Sequence, residues 1–144
     1  MFARLKNLEH LGLSHNNLSL MTTNSINSTF PQLRTLYLSS CNISKIPVFL
    51  NTLEQLEGLD LSKNKIDGLI PEWLWNMGLS YLNLSHNFLQ GFDQYLDIPP
   101  AISPSTLDLH SNMLRGSLFI PSPSTSFYSV ANNKLSGELP LICN

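Results

Sequence analysis

Leu56-Glu57-Gly58-Leu59-Asp60-Leu61-Ser62-Lys63-Asn64-Lys65-Ile66 is the stretch whose reading decides the fold. Apolar residues stand at its first, fourth, sixth and eleventh places, and an asparagine at its ninth. Leu59-Asp60-Leu61 alternates apolar with polar, the period of a strand that buries one face. Upstream the pattern recurs as Leu8-Leu11-Leu13-Asn16-Leu18 and Leu33-Leu36-Leu38-Cys41-Ile43, and downstream as Leu79-Leu82-Leu84-Asn87-Leu89. Two looser copies follow, Pro104-Leu107-Leu109-Asn112-Leu114 and Thr125-Tyr128-Val130-Asn133-Leu135, which lose the apolar residue only at the first place.

The ninth places fall at 16, 41, 64, 87, 112 and 133, so the intervals are 25, 23, 23, 25 and 21 residues. Each interval holds one short strand, a corner and a return segment. No single unit can bury its leucines alone, so the units must stack, aligning their strands at ~4.7–4.9 Å per coil. The expected fold is an α/β-type repeat solenoid: a curved array of about six coils, with short parallel strands on the concave face and irregular or 3-10 returns on the convex face. The whole chain, residues 1–144, reads as one array, with repeats near 8–32, 33–55, 56–78, 79–103, 104–124 and 125–144.

At the corner, buried backbone groups need partners. An asparagine amide offers two donors and an acceptor in a compact group. Asn16, Asn64, Asn87, Asn112 and Asn133 therefore form a structural ladder, with Cys41 as a small, weaker-donating substitute. Beyond the corner, Ile66-Asp67-Gly68-Leu69-Ile70-Pro71 and Leu135-Ser136-Gly137-Glu138-Leu139-Pro140 share a tail, and Leu114-Arg115-Gly116-Ser117-Leu118 carries it without the proline. Gly91 holds the same place, although Phe92-Asp93 breaks the rest; the second copy is shortened to Ile43-Ser44-Lys45-Ile46-Pro47. The glycine permits a turn with positive φ, the apolar residue after it points back into the coil, and proline ends backbone pairing and starts the return. Trp73 and Trp75 fall in a short helical return and pack on the convex side.

This repeat resembles the leucine-rich repeat, and its L-x-G-x-I-P tail resembles the plant-specific class. The segments around Leu56–Asn64, Ile70–Trp75 and Ser126–Glu138 are similar to those of plant receptor-like proteins. That resemblance implies a non-catalytic, ligand-binding ectodomain on the extracellular side of the plasma membrane. It would take a peptide, glycan or protein ligand and signal in defence or development through partner receptor kinases. Two further readings share the repeat: the ectodomain of a leucine-rich repeat receptor kinase, and a secreted polygalacturonase-inhibitor-like protein.

Ligand-facing positions in such an array are the polar places of the strand. One column runs Gly12, Tyr37, Asp60, Asn83, Asp108, Ser129, and a second His10, Thr35, Gly58, Tyr81, Thr106, Phe127. Beyond the strand centre come Ser14, Ser39, Ser62, Ser85, His110, Ala131, then His15, Ser40, Lys63, His86, Ser111, Asn132. Aromatic side chains give contact area at low entropy cost. The binding candidates are Tyr37, Asp60, Tyr81, Asn83, Asp108, His110 and Phe127. Asn17, Asn27, Asn42 and Asn83 begin N-x-S/T sequons and are glycosylation candidates. On Asn83 a glycan would stand in the middle of the concave face.

Catalytic chemistry finds no support in the chain. The four histidines occupy three columns, and His86 and His110 sit on neighbouring coils but one place out of register, with no carboxylate or cysteine expected to complete a metal set. A Ser85-His110-Asp108 triad can be drawn, but serine is simply the commonest residue at its place. No cofactor is expected. A net charge of −2 with only 8 Lys and Arg carries no nucleic-acid footprint, and no apolar run is long enough to cross a membrane. Residues 1–8 enter mid-repeat without the apolar core of a signal peptide, and neither end carries a capping repeat. The expectation is thus the interior of a longer array, with Cys41 and Cys143 too far apart for a disulfide.

Overall fold

A computed structural model of the chain describes residues 5–18, 30–93 and 104–139. The returns at 19–29 and 94–103, the sequon at Asn27, Pro140 and Cys143 lie outside the described residues. Six three-residue strands form one parallel sheet: β1 (His10–Gly12), β2 (Thr35–Tyr37), β3 (Gly58–Asp60), β5 (Tyr81–Asn83), β7 (Thr106–Asp108) and β9 (Phe127–Ser129), in that order. Each repeat contributes one strand, and the leucine columns pair as the spacing requires: Leu11, Leu36, Leu59, Leu82, Leu107 and Tyr128 stand in line. The solenoid expected from the repeat is therefore present, with six strands and five steps between them.

The core runs along the inside of this sheet. Leu59, Leu61, Leu82, Leu84, Leu107 and Leu109 are all 0% exposed, whereas Leu11 and Leu13 in the first coil and Tyr128 and Val130 in the sixth are half-buried. The difference follows from stacking. A central coil is covered on both sides, and among the described residues the outer ones have a neighbour on one side only.

The Asn ladder does what its chemistry requires. Asn87 donates Nδ2 to the carbonyls of Leu61 (3.0 Å), Leu84 (3.1 Å) and Ser85 (3.2 Å), and its Oδ1 accepts from the Ile66 N–H at 3.0 Å. Asn64 repeats the pattern one coil earlier, Asn112 and Asn133 one and two coils later. Cys41 donates its thiol to the Leu13 carbonyl at 3.1 Å, the bond Asn64 makes to Leu38. The thiol copies the donor half of an asparagine, and Cys41 is a free, buried cysteine.

Just before each ladder residue the backbone enters the left-handed region, in all six coils. His15, Ser40, Lys63, His86, Ser111 and Asn132 have φ between 54° and 61°. None is glycine, so the residue type usual for a left-handed turn does not mark the place; the common property is the absence of a β-branched side chain, which that conformation tolerates worst. In the five asparagine coils the ladder Nδ2 donates to the two carbonyls that lead into the turn, such as those of Leu84 and Ser85 before His86.

The glycine tails hold a second, unforeseen ladder. β4 (Asp67–Ile70) pairs with β6 (Phe88–Phe92), and β8 (Arg115–Gly116) with β10 (Lys134–Leu135), both parallel. Gly68, Gly116 and Gly137 have positive φ, as expected. Gly91 does not. There β6 continues to Phe92, and the register shifts between Gly68 and Leu69, so the extra length is taken up as a bulge. Pro47 and Pro71 then precede a 3-10 helix, Val48–Thr52, and α1 (Glu72–Trp75).

Trp75 is buried, as expected of the convex side, and its ring lies 5.4 Å from that of Phe92 and 6.0 Å from that of Phe119. Trp73 is half-buried and lines an open hollow with Leu53 and Met77. Tyr128 closes the aromatic cluster, edge-on to Phe119, and donates its hydroxyl to the Phe119 carbonyl at 2.7 Å. Burial pushes its phenol from 10.0 up to about 12. The folded state thus holds this proton more tightly than the unfolded chain, so the stabilisation is complete below pH 10 and is lost as pH rises through about 12. We expect the ultraviolet tyrosinate titration to show one late step in that window, accompanied by loss of stability. Tyr128→Phe should remove the step and flatten the pH dependence there; an unchanged titration would show that another tyrosine carries it.

Candidate binding face

The strand residues that point away from the core make the candidate site. Register places Gly12, Tyr37, Asp60, Asn83, Asp108 and Ser129 in one column and His10, Thr35, Gly58, Tyr81, Thr106 and Phe127 in the other. Tyr37 (41% exposed) and Phe127 (49%) stand free on this face. Tyr81, Asp60, Asn83, Asp108 and His110 are half-buried. The aromatic candidates are not one patch: Tyr37 and Phe127 occupy the second and sixth strands, with Tyr81 between them on the fourth.

Three of the polar candidates also serve the backbone. Asp60 Oδ1 accepts from the Ser62 N–H at 2.8 Å, Asn83 Oδ1 from Ser85 at 3.0 Å, and Asp108 Oδ1 from His110 at 3.1 Å. A side-chain oxygen that caps the amide two residues on closes the end of the strand. Strand alternation alone assigns this column only a binding role. In the second coil Tyr37 has no such oxygen, and the Ser39 N–H turns instead to Ser14 Oγ of the first coil, at 3.1 Å.

The serine column requires a correction. It was expected among the ligand-facing residues, yet Ser39, Ser62 and Ser85 are 8%, 5% and 3% exposed. Ser62 Oγ donates to Ser39 Oγ at 3.0 Å. The left-handed residue after each serine turns the chain at once and tucks the hydroxyl into the corner, so a small polar group fits where a ligand would not reach.

His110 breaks this column, and a second correction follows. His86 and His110 were expected to be kept apart by their one-place offset. In the structure their Nε2 atoms are 2.9 Å apart and their rings meet edge-to-face with centroids at 4.5 Å. Strand alternation sets side-chain direction only while the backbone is extended, and His86 is left-handed with φ 54°. Its ring swings across the offset. Asp108 then completes the group, its Oδ1 lying 2.6 Å from His110 Nδ1. A Ser85-His110-Asp108 triad does not form, because the free nitrogen of His110 faces His86 while Ser85 is buried. Elsewhere, His10 Nδ1 lies 2.8 Å from Thr35 Oγ1.

The sequons differ in setting. Asn17 and Asn42 are exposed just past the corner. Asn83 is half-buried, and its Nδ2, the atom a glycan would occupy, donates to the Tyr81 hydroxyl at 3.4 Å. No helix among the described residues is long and apolar enough to cross a membrane.

Comparison with known proteins agrees with this architecture. Two leucine rich repeat family models match, over residues 7–31 and 31–89. The chain is 42% identical to Receptor-like protein 7 of Arabidopsis thaliana over 142 residues, covering 97% of the chain and 14% of that protein. It is 40% identical to Receptor like protein 22 of the same plant over 148 residues, covering 100% of the chain and 19% of that protein. Receptor-like protein 47 is 38% identical over 143 residues. The chain thus spans less than a fifth of the length of these relatives. With its in-register leucine columns, its Asn ladder and this run of similarity from end to end, the chain belongs to the leucine-rich repeat family, among the plant receptor-like proteins.

Proposed function

We propose that this chain is part of the ligand-recognising ectodomain of a plant cell-surface receptor, non-catalytic in itself, that signals through partner receptor kinases. The single observation that carries the reading is the six-stranded parallel sheet, whose open face presents Tyr37, Tyr81 and Phe127 between hydrogen-bonded polar residues. Relatives named as receptor-like proteins, matching almost the whole chain, support it. The rings supply apolar contact, and Asp60 and Asp108 are held by the Ser62 and His110 amides, so a ligand meets groups that are already ordered. A peptide, glycan or protein with basic or hydroxyl-rich groups suits this face.

Asn17 and Asn42 can carry glycans away from the strands, whereas a glycan on Asn83 would occupy the face itself. The reading therefore expects Asn83 to be bare in the secreted protein. The test is binding of extracellular plant peptide and glycan fractions to the secreted chain. Combined Tyr37→Ala and Phe127→Ala should weaken binding at least about tenfold, since aromatic anchors dominate such surfaces. Leu69→Ser, an exposed change away from the open face, should leave it intact. Equal loss in both variants, or no saturable binding by the unaltered chain, would refute the assignment.

A further inference from the structure

We propose that His86 and His110 form a binding site for a divalent transition-metal ion on the open face, with Asp108 orienting His110. Asp108 Oδ1 accepts from both the backbone N–H and the Nδ1 of His110, at 3.1 and 2.6 Å. A carboxylate can only accept, so Nδ1 of His110 carries the hydrogen and Nε2 of the neutral ring bears a lone pair. That carboxylate–imidazole arrangement fixes tautomer and ring direction in protein metal sites and strengthens the ligand.

The second nitrogen is already in place. His86 Nε2 lies 2.9 Å from His110 Nε2. Two nitrogens about 2.0–2.1 Å from one ion stand about 2.9 Å apart at a right angle, and about 3.3 Å apart at the tetrahedral angle. The observed separation fits adjacent positions around a tetragonal or octahedral ion such as Ni2+ or Cu2+, which favour imidazole. Without an ion, His86 donates its Nε2–H to His110. With one, it takes the other tautomer, placing its hydrogen on Nδ1 and offering the Nε2 lone pair, so no proton need leave the neutral pair.

Burial supports the same division of roles. The side chains of His110 and Asp108 are 32% and 16% exposed, a held ligand and its holder, while His86 is exposed and free to turn its lone pair toward the ion. Water would fill the remaining positions, because among the described residues no group of three or more His, Cys, Asp or Glu is placed to hold an ion. The site is independent of the receptor reading, since it rests on three side chains and the distances between them.

Each informative variant copies a residue that a neighbouring coil already carries at the same place, so the fold tolerates it. His110→Ser restores the serine column seen at Ser85, His86→Ser matches Ser111, and Asp108→Asn matches Asn83, whose Oδ1 caps its own corner. We expect calorimetric titration of the untagged chain with Ni2+ to show one saturable site. His110→Ser and His86→Ser should each weaken it at least about tenfold, and Asp108→Asn by about 10–100-fold, the usual effect of losing an orienting carboxylate. His15→Ser, in the His86 column but outside the pair, should leave it unchanged. Absence of saturable Ni2+ binding, or equal losses in His15→Ser and His110→Ser, would overturn the proposal.

Discussion

Asn87→Ala is expected to cost the fold about 3 kcal/mol, among the largest effects of any single polar substitution in the chain. Asn87 makes four side-chain hydrogen bonds, but their loss is unequal. The Leu61 carbonyl keeps Asn64, the Leu84 carbonyl keeps Asn112, and the Ser85 carbonyl keeps the Lys63 N–H. Only the Ile66 N–H loses the partner it has. One buried orphaned donor costs about 1–3 kcal/mol, and each hydrogen bond lost from a carbonyl that keeps another adds about 0.5–1 kcal/mol at most. Asn87→Cys should fall between wild type and alanine, because Cys41 shows that a thiol supplies the donor but not the acceptor. Asn16→Ala should cost under about 1 kcal/mol, since Asn16 is exposed and bonds the carbonyls of Leu13 and Ser14 in its own coil. Urea unfolding followed by circular dichroism measures all three; equal costs at positions 16 and 87 would contradict the ladder's role.

Leu82→Ala is expected to destabilise by about 3–4 kcal/mol, within the range for a fully buried leucine. Leu82 is 0% exposed, and its register neighbours Leu59 and Leu107 are held in place by the parallel ladder. The coils on either side therefore cannot close onto the cavity, which keeps the cost above the lower end of that range. A solenoid couples each coil only to its neighbours, so a weak fourth coil divides the array. Tryptophan fluorescence, reporting Trp73 and Trp75, and circular dichroism, reporting all strands, should then give separate midpoints. Leu11→Ala, in a half-buried position of the first coil, should cost about 1 kcal/mol and leave the midpoints coincident. A Leu82 variant that unfolds in one step at the wild-type midpoint would refute the coupling.

The fold was legible because its determinants are local and periodic. Leu59, Leu82 and Leu107 announce a buried column by spacing alone, and Asn64 and Asn87 announce the corner by residue type. The open face was only half legible. Alternation gave the columns of Tyr37 and Phe127 correctly, but it could not show that Asp60, Asn83 and Asp108 cap the strand ends. Nor did it show that Ser62 and Ser85 are buried in the corner. One usable hint was present: the left-handed places carry His, Ser, Lys and Asn and never a β-branched residue.

The second ladder, β4 with β6, was missed for a related reason. Gly68 and Gly91 share a place in the repeat, yet only Gly68 turns with positive φ, because Phe92 is drawn onto Trp75 and carries β6 past Gly91. A contact between residues on adjacent coils is not written in either repeat.

By itself the sequence determined the solenoid, its six strands, the register of its leucines and the ladder that holds its corners. Each of these needs only a period and a residue type, which the chain repeats until a single stacking satisfies all of them. Tertiary structure alone decided the company that several polar side chains keep: Cys41 on the Leu13 carbonyl, Tyr128 on the Phe119 carbonyl, and His86 against His110. Those pairings span nine to twenty-eight residues, and the last also depends on the left-handed backbone of His86, where the alternation that guides a sequence reading no longer holds.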